Sequence, residues 1–431
     1  MFDRLTPEFA AAGSERFASR QGVLWIWRAA GLAALVLLAT ALYWTVRLAR
    51  ADWLFLKGNP QSIQQAIRLA PGNPDYNSGW AQTEPDLAVD VLEKAVALNP
   101  INSSLRIELG LAAEEKGDFR KAEASLREAM RLDTSFAPRW ALSDFYLHRH
   151  DAENFWPVVK AALAISYGDV SAQFRSCWAL SSDPQTILER AMPDRLDVLR
   201  QYLGFLLNER RIDAAEPVAN KVLARADKAA VGALLNYCDG LLDAGRDREA
   251  LTVWNGLSKR KLIPYAAFAA GAGEVPVNGD FRMPSLGAGF DWRLSSPDGI
   301  DIDAGGNPPA LTLSFSGKQP ENTEILGQYV LLLPGRQYVL SIRYRVAGIG
   351  AESGLMCRLL SANGKDLLNG QGLLPGGTEG DIKREIPFQT PDKTTLARLT
   401  FGYHRMLGTV RIEGSLTLQK FALMLSPEDG R

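Results

Sequence analysis

Residues 86–100 read DLAVDVLEKAVALNP, and this stretch decides the fold of the first half of the chain. Ala88, Leu92 and Ala95 stand at offsets 0, 4 and 7, so they share one face of a helix. Pro100, at offset 12, ends it. Thirty-four residues later KAEASLREAMRLD (121–133) repeats the offsets with Ala122, Leu126 and Ala129. The helix before that carries Leu109-Gly110 and then Ala113, and Gly117-Asp118 separates the two helices as stop and cap. Small residues at these places let paired helices approach closely.

Period and pattern resemble the tetratricopeptide repeat, a 34-residue helix pair with Leu-Gly on its first helix and Ala, a large apolar residue and Ala on its second. A third unit is looser: Trp140 takes the expected aromatic place, while Trp156 and Lys160 stand where Ala and an apolar residue belong. Leu203-Gly204 with Ala215, Ala219 and Val222, and then Ala250, Trp254 and Leu257, give two further units, and 170–195 fits none. The resemblance covers residues 60–258 and implies a helical solenoid over 51–262. Such arrays hold a peptide or protein on a concave face, or merely space and orient the next domain of the chain.

Before the array, residues 29–46 read AAGLAALVLLATALYWTV, without a charge. At about 1.5 Å per residue this reaches roughly 27 Å, close to a hydrocarbon core of about 30 Å. Trp25, Trp27, Tyr43 and Trp44 flank it as an interfacial belt. A buried core helix and a cleaved signal peptide are the alternatives, but a signal peptide's apolar region is normally shorter, about 7–15 residues. The expectation is a tail over 1–22 and a single-pass transmembrane anchor over 23–50. Arg4, Arg16, Arg20 and Arg28 precede the run and Arg47, Arg50 and Lys57 follow it, a bias too small to set topology.

After Leu262 the pattern changes. Residues 263–275 form an Ala/Gly-rich linker, and over 276–431 Gly and Pro punctuate short alternating runs: TLSFSG, GQYVLLLPG, RQYVLSIRYRV, ARLTFGYHR and GSLTLQKFALML. These predict an antiparallel β-sandwich, giving a multidomain α and β chain. VNGDF (277–281) with GFDWRL (289–294), and then 328–335 with 338–341, resemble a carbohydrate-binding-module jelly roll of the galactose-binding-like type, with its Pro-Gly hairpin. That resemblance implies a core role for Trp292, contact with glycans outside the cytoplasm, and a structural calcium near Asp280. Arg282, however, stands where family members often have an acidic residue. Asp301 and Asp303 lack a third oxygen ligand, because Gly305 takes its place.

Alternation over Tyr338–Val346 sends Tyr338, Leu340, Ile342 and Tyr344 inward and Arg343 and Arg345 outward. On the later strand Phe401 and Tyr403 share one face, and Arg398 and His404 the other. Arg343, Arg345, Arg398 and His404 are thus the candidate glycan contacts, with a plain solvated face as the alternative. Tyr329, Leu331 and Leu333 make an apolar stripe on an outer face, which calls for a cover: the helical array, a partner or a ligand.

The chain's 48 basic and 49 acidic residues leave no global field for nucleic acid. Three cysteines far apart read as small buried hydrophobes, and three histidines offer little for zinc or acid–base work. No phosphate loop or nucleophile elbow is present. The expectation is a non-enzymatic scaffold of the cell inner (plasma) membrane with its bulk periplasmic. It would assist cell-surface polysaccharide biosynthesis or export, holding an envelope protein on the array and, in this reading, polysaccharide on the sandwich. A pure protein–protein adaptor is the alternative.

Overall fold

The computed structural model describes residues 11–271, 275–377, 380–393 and 395–426, including the side chains of all of these but residues 11–24 and 26. The chain divides into two compact units, Met1–Ser166 and Tyr167–Arg431.

The first unit contains α1 (Ala11–Phe55), α2 (Pro60–Leu69), α3 (Pro74–Thr83), α4 (Ala88–Leu98), α5 (Ser103–Glu115), α6 (Phe119–Leu132), α7 (Phe136–His148) and α8 (Ala152–Ile165). The tail expected over 1–22 is partly helix, since α1 starts at Ala11; residues 1–10 lie outside the described residues. Trp27–Phe55 of α1 is long and apolar enough to cross a membrane, with mean hydropathy 1.9 in a window that is 0% buried. The same helix then runs unbroken into the array, where Ala51 and Leu54 are buried with Ala66 of α2 and Tyr76 of α3.

The repeat positions behave as their spacing requires. Ala88, Leu92, Ala95, Ala122, Leu126 and Ala129 are all buried. Gly110 explains its motif place: a Cβ there would meet Leu126 Cγ at 2.6 Å, so α5 and α6 touch backbone to side chain. Gly117 takes φ +80° and Asp118 accepts from the Lys121 amide, which ends one helix and starts the next.

The second unit begins with α9 (Ser171–Leu180), α10 (Pro184–Arg190), α11 (Leu196–Asn208), α12 (Ile212–Ala224), α13 (Val231–Asp243) and α14 (Asp247–Lys259). The stretch that fitted no repeat is α9 and the short α10. Among the described residues ten strands come next: β1 (Arg293–Leu294), β2 (Ile300–Gly305), β3 (Ala310–Ser316), β4 (Asn322–Leu331), β5 (Gln337–Ala347), β6 (Leu355–Ser361), β7 (Leu373–Leu374), β8 (Gly380–Gln389), β9 (Leu396–His404) and β10 (Glu413–Leu425). They form two five-stranded antiparallel sheets, ordered β1-β4-β9-β6-β7 and β2-β3-β10-β5-β8, packed as a sandwich. Trp292 is 0% exposed in that core, stacked 5.7 Å from Phe281 and tilted against Phe421 at 5.2 Å. The expected Pro-Gly hairpin is instead an inter-sheet corner. Residues 332–336 carry the chain from β4 in one sheet to β5 in the other, so Val330 and Leu332 enter the core and Tyr338 joins it from the opposite layer.

The helices of this unit pack directly on the sandwich. Trp254 of α14 is buried, stacked on Tyr265 at 5.6 Å and edge-on to Phe290 at 5.8 Å. The segment expected as a linker over 263–275 is docked, since Asn255 exchanges two hydrogen bonds with Phe268 and Ser258 Oγ donates to the Tyr265 carbonyl. Residues 272–274 of it lie outside the described residues. Here the apolar stripe finds its cover: Tyr329 donates to Asp243 at the end of α13 (2.7 Å), and Leu333 packs over Gly271, where a Cβ would meet its Cδ1 at 2.5 Å. Leu331 is 2% exposed.

Candidate functional site

The outer face of the β2-β3-β10-β5-β8 sheet holds the most distinctive charge arrangement. Alternation on β5 buries Tyr338, Leu340, Ile342 and Tyr344 and leaves Arg343 and Arg345 exposed. Register then sets Arg343 opposite Lys420 on β10 and opposite Lys383 on β8. Three cations therefore stand in a row across three adjacent strands. Lys383 Nζ lies 2.5 Å from Glu385. Arg343 and Lys420 have no ion-pair partner among the described residues. Like charges directly opposite each other destabilise a sheet, and an anion between them reverses that sign.

Next to the row, Arg345 pairs with Asp381 at 2.8 Å, and Gln419 Nε2 donates to the same carboxylate at 2.8 Å. The Gln419 hydrogen bond, then Arg345, holds the Asp381 carboxyl below its usual range, so it stays ionised. A shallow depression of about 580 Å³ is lined by Arg343, Arg345, Lys420, Gln419, Arg282 and Asp280. Asp280 sits there, but Arg282 Nε holds its carboxylate at 2.9 Å. Among the described residues no group of three or more His, Cys, Asp or Glu is placed to hold a metal ion. The calcium implied at Asp280 thus has a guanidinium where further oxygen ligands would stand. Asp301 and Asp303 lie on β2 opposite Ser314 and Thr312.

Arg398 and His404 are not part of this patch. They lie on β9, in the other sheet, so the four residues expected together fall into two pairs on opposite layers of the sandwich. Arg398 is already paired with Glu324 at 2.7 Å, and His404 is exposed beside a separate depression of about 600 Å³ that also contains Arg358 and Asp366. The separation is topological: β5 and β9 alternate alike in sequence, but nothing in alternation says which layer a strand joins. A further depression, about 1220 Å³ at one end of the sandwich, has matched charges, with Arg405 and Arg411 at 3.2 and 3.5 Å from Glu321.

Lys420 and Lys383 escaped the sequence reading. In β10 the inward residues are Leu416 and Leu418, then Phe421 and Leu423. That change of parity marks a bulge between Leu418 and Lys420, which turns Lys420 outward. Also missed was the clamp joining α13 to the sandwich: Asp239 pairs with Arg293 and accepts from the Gly289 amide at 2.7 Å, while the Arg293 guanidinium lies 5.0 Å over the Tyr329 ring.

No family model matches the chain, and no curated protein matches it. Among solved structures it is similar to one titled "CBM4 structure and function", at 12% identity over 35% of this chain and 98% of that one, with a TM-score of 0.27. It is also similar to "YrrB: a TPR protein with an unusual peptide-binding site" (14% identity, 47% of this chain and 93% of that one, TM-score 0.24). A third likeness is to "MamA MSR-1 C2" (25%, 28% and 72%, TM-score 0.23). With scores this low, the architecture rests on the chain's own strand order and helix pairing.

Proposed function

We propose that this protein is a membrane-anchored, non-catalytic scaffold of the cell envelope that assists cell-surface polysaccharide production or export. Its helical repeats hold a protein partner, and its sandwich contacts an acidic glycan. The observation that carries the glycan half is the row Lys420–Arg343–Lys383, two of whose cations have no paired carboxylate among the described residues. A non-catalytic role is supported by the carboxylates beside the row. Asp280 and Asp381 are each engaged by an arginine, and Asp381 is held ionised, which does not suit Asp381 to give up a proton as a general acid. A glycan partner outside the cytoplasm goes with the bulk of the chain lying on the periplasmic side of an inner membrane, and paired reporters at the C-terminus (alkaline phosphatase against a fluorescent protein) test that side.

Among the described residues no exposed aromatic ring lines the depression beside the row, so charge rather than stacking selects the ligand and neutral polysaccharides are expected to bind weakly. The test uses the full chain in detergent with a uronate polymer and a neutral glucan. Charge-assisted contacts are worth about 1.5–3 kcal/mol, so Arg343→Ala or Lys420→Ala should weaken uronate binding roughly tenfold or more. Arg398→Ala, on the other sheet, should leave it unchanged. Equal, negligible binding by all three variants and the wild type would leave a protein–protein adaptor.

A further inference from the structure

The anchor does not end in a linker. Arg47 comes directly after the last residue of the uncharged run, and its Nε donates to the Leu69 carbonyl at the end of α2 at 2.8 Å. The α1–α2 hairpin thus folds back to the level where the apolar run stops. The ten residues of α2 rise about 15 Å, enough to return alongside Arg47–Phe55. The α2–α3 loop, residues 70–73, therefore lies level with the end of the apolar run. The next repeat reaches the same level, since Asn99 Nδ2 donates to the Gly72 carbonyl at 2.9 Å and draws in the α4–α5 loop, residues 99–102. The opposite loops are tied to each other at the far end, where Lys116 pairs with Asp86 at 2.8 Å.

The near end has the composition of an interfacial surface. Leu98 is 56% exposed and Ile101 82%, two large apolar side chains with no core to enter. Arg47 and Arg68 belong to the same end through the α2 terminus and Arg106 through Pro100, against Asp75 and Asp133. Arg106 also donates to the Pro100 carbonyl at 3.0 Å, which fixes the loop that presents Ile101. Exposed apolar residues with arginines at the same end match a bilayer surface, where the aliphatic groups enter the acyl boundary and the guanidinium groups meet anionic headgroups.

We infer that this end of the first unit is a second membrane-contact surface: the 70–73 and 99–102 loops, with Leu98 and Ile101, rest in the headgroup layer of an anionic bilayer. The inference rests on α1 spanning that bilayer. A span whose helix continues into the array, with these loops seated on lipid, holds the first repeats at a fixed height and tilt.

The test uses the full chain in vesicles of phosphatidylcholine and phosphatidylglycerol. The three native cysteines are buried, so single introduced cysteines can carry an environment-sensitive fluorophore. Labels are placed by Leu38→Cys in the span, Ile101→Cys in the near loop and Lys116→Cys at the far end. Lipids carrying quenchers at the headgroup or at the acyl midpoint report depth. Expected are midpoint quenching at 38, headgroup-level quenching at 101 and none at 116, with the signal at 101 falling in pure phosphatidylcholine. Quenching at 38 without quenching at 101 overturns the inference and leaves the anchor standing. Loss of quenching at both 38 and 101 overturns the anchor as well.

Discussion

Asp291 shows how one buried carboxyl shapes the chain's response to pH. Its side chain accepts from Tyr265 Oη at 2.7 Å, the Leu286 amide at 2.7 Å and the Trp292 amide at 2.8 Å. Burial nevertheless pushes its carboxyl above the ordinary value, because three neutral donors do not replace the water it has lost. Asp239 is also raised by burial, which outweighs its partner Arg293. A raised folded value means the native state binds more protons than the unfolded one across the interval from about pH 4 up to that value. Both groups thus contribute stability at acid pH that is lost as pH rises through the folded value. Asp291→Asn keeps an acceptor at the site and removes the titration. Thermal melts of the full chain from about pH 4 to neutrality should show a shallower decline in the variant than in the wild type. An unchanged slope would mean Asp291 is ionised throughout.

At the scale of elements, two glycines in the same motif position separate what spacing reveals from what packing adds. Gly110 on α5 and Gly204 on α11 both come after a leucine in the first helix of a repeat. A Cβ at 110 would sit 2.6 Å from Leu126 Cγ, whereas one at 204 would have nothing within 4 Å. Gly110→Ala gains about 1 kcal/mol of helix propensity but overpacks by about 1–3, so it should destabilise its unit. Gly204→Ala has only the gain and should stabilise by about 0.5–1 kcal/mol. Chemical denaturation of the two variants checks the opposite signs. The Leu-Gly signature was legible in sequence, and so were the buried faces Ala88–Leu92–Ala95 and Ala122–Leu126–Ala129. The strands β3, β4, β5, β9 and β10 were legible too, as short apolar-rich runs bounded by turn residues. β8 was not: GDIKREIPFQ is an edge strand with Pro387 and mostly polar outward residues, so its one-sided pairing leaves little apolar pattern. The candidate site was half legible for a related reason. Arg343 and Arg345 emerge from alternation, but Lys420 needs the bulge and Lys383 needs the unread edge strand. Only register brings the three into line.

At the scale of the whole molecule, composition changes near Leu262 but compactness does not. The chain divides at Ser166, and α9–α14 belong with the sandwich. Tyr329 bonded to Asp243, Thr395 Oγ1 donating to Asp247, and Arg293 paired with Asp239 all join helix to sheet within the second unit. Trp254 is the centre of that union: fully buried on α14, it meets Tyr265 of the connecting segment and Phe290 before β1. Gly289, at φ +62°, lies so close that a Cβ would come within 2.6 Å of the Trp254 ring. Calorimetry of the full chain should therefore resolve two transitions, one for each compact unit. Trp254→Ala removes a large side chain that packs both helix and sandwich, at about 3–5 kcal/mol. For a unit of this size that lowers its transition by roughly 10 °C and leaves the other in place. Both the helical and the β signals of the second unit should move together by that amount. If the β signal kept its wild-type midpoint while helix signal alone shifted, the sandwich would be the independent body that composition suggests, and the docked segment before it a true linker.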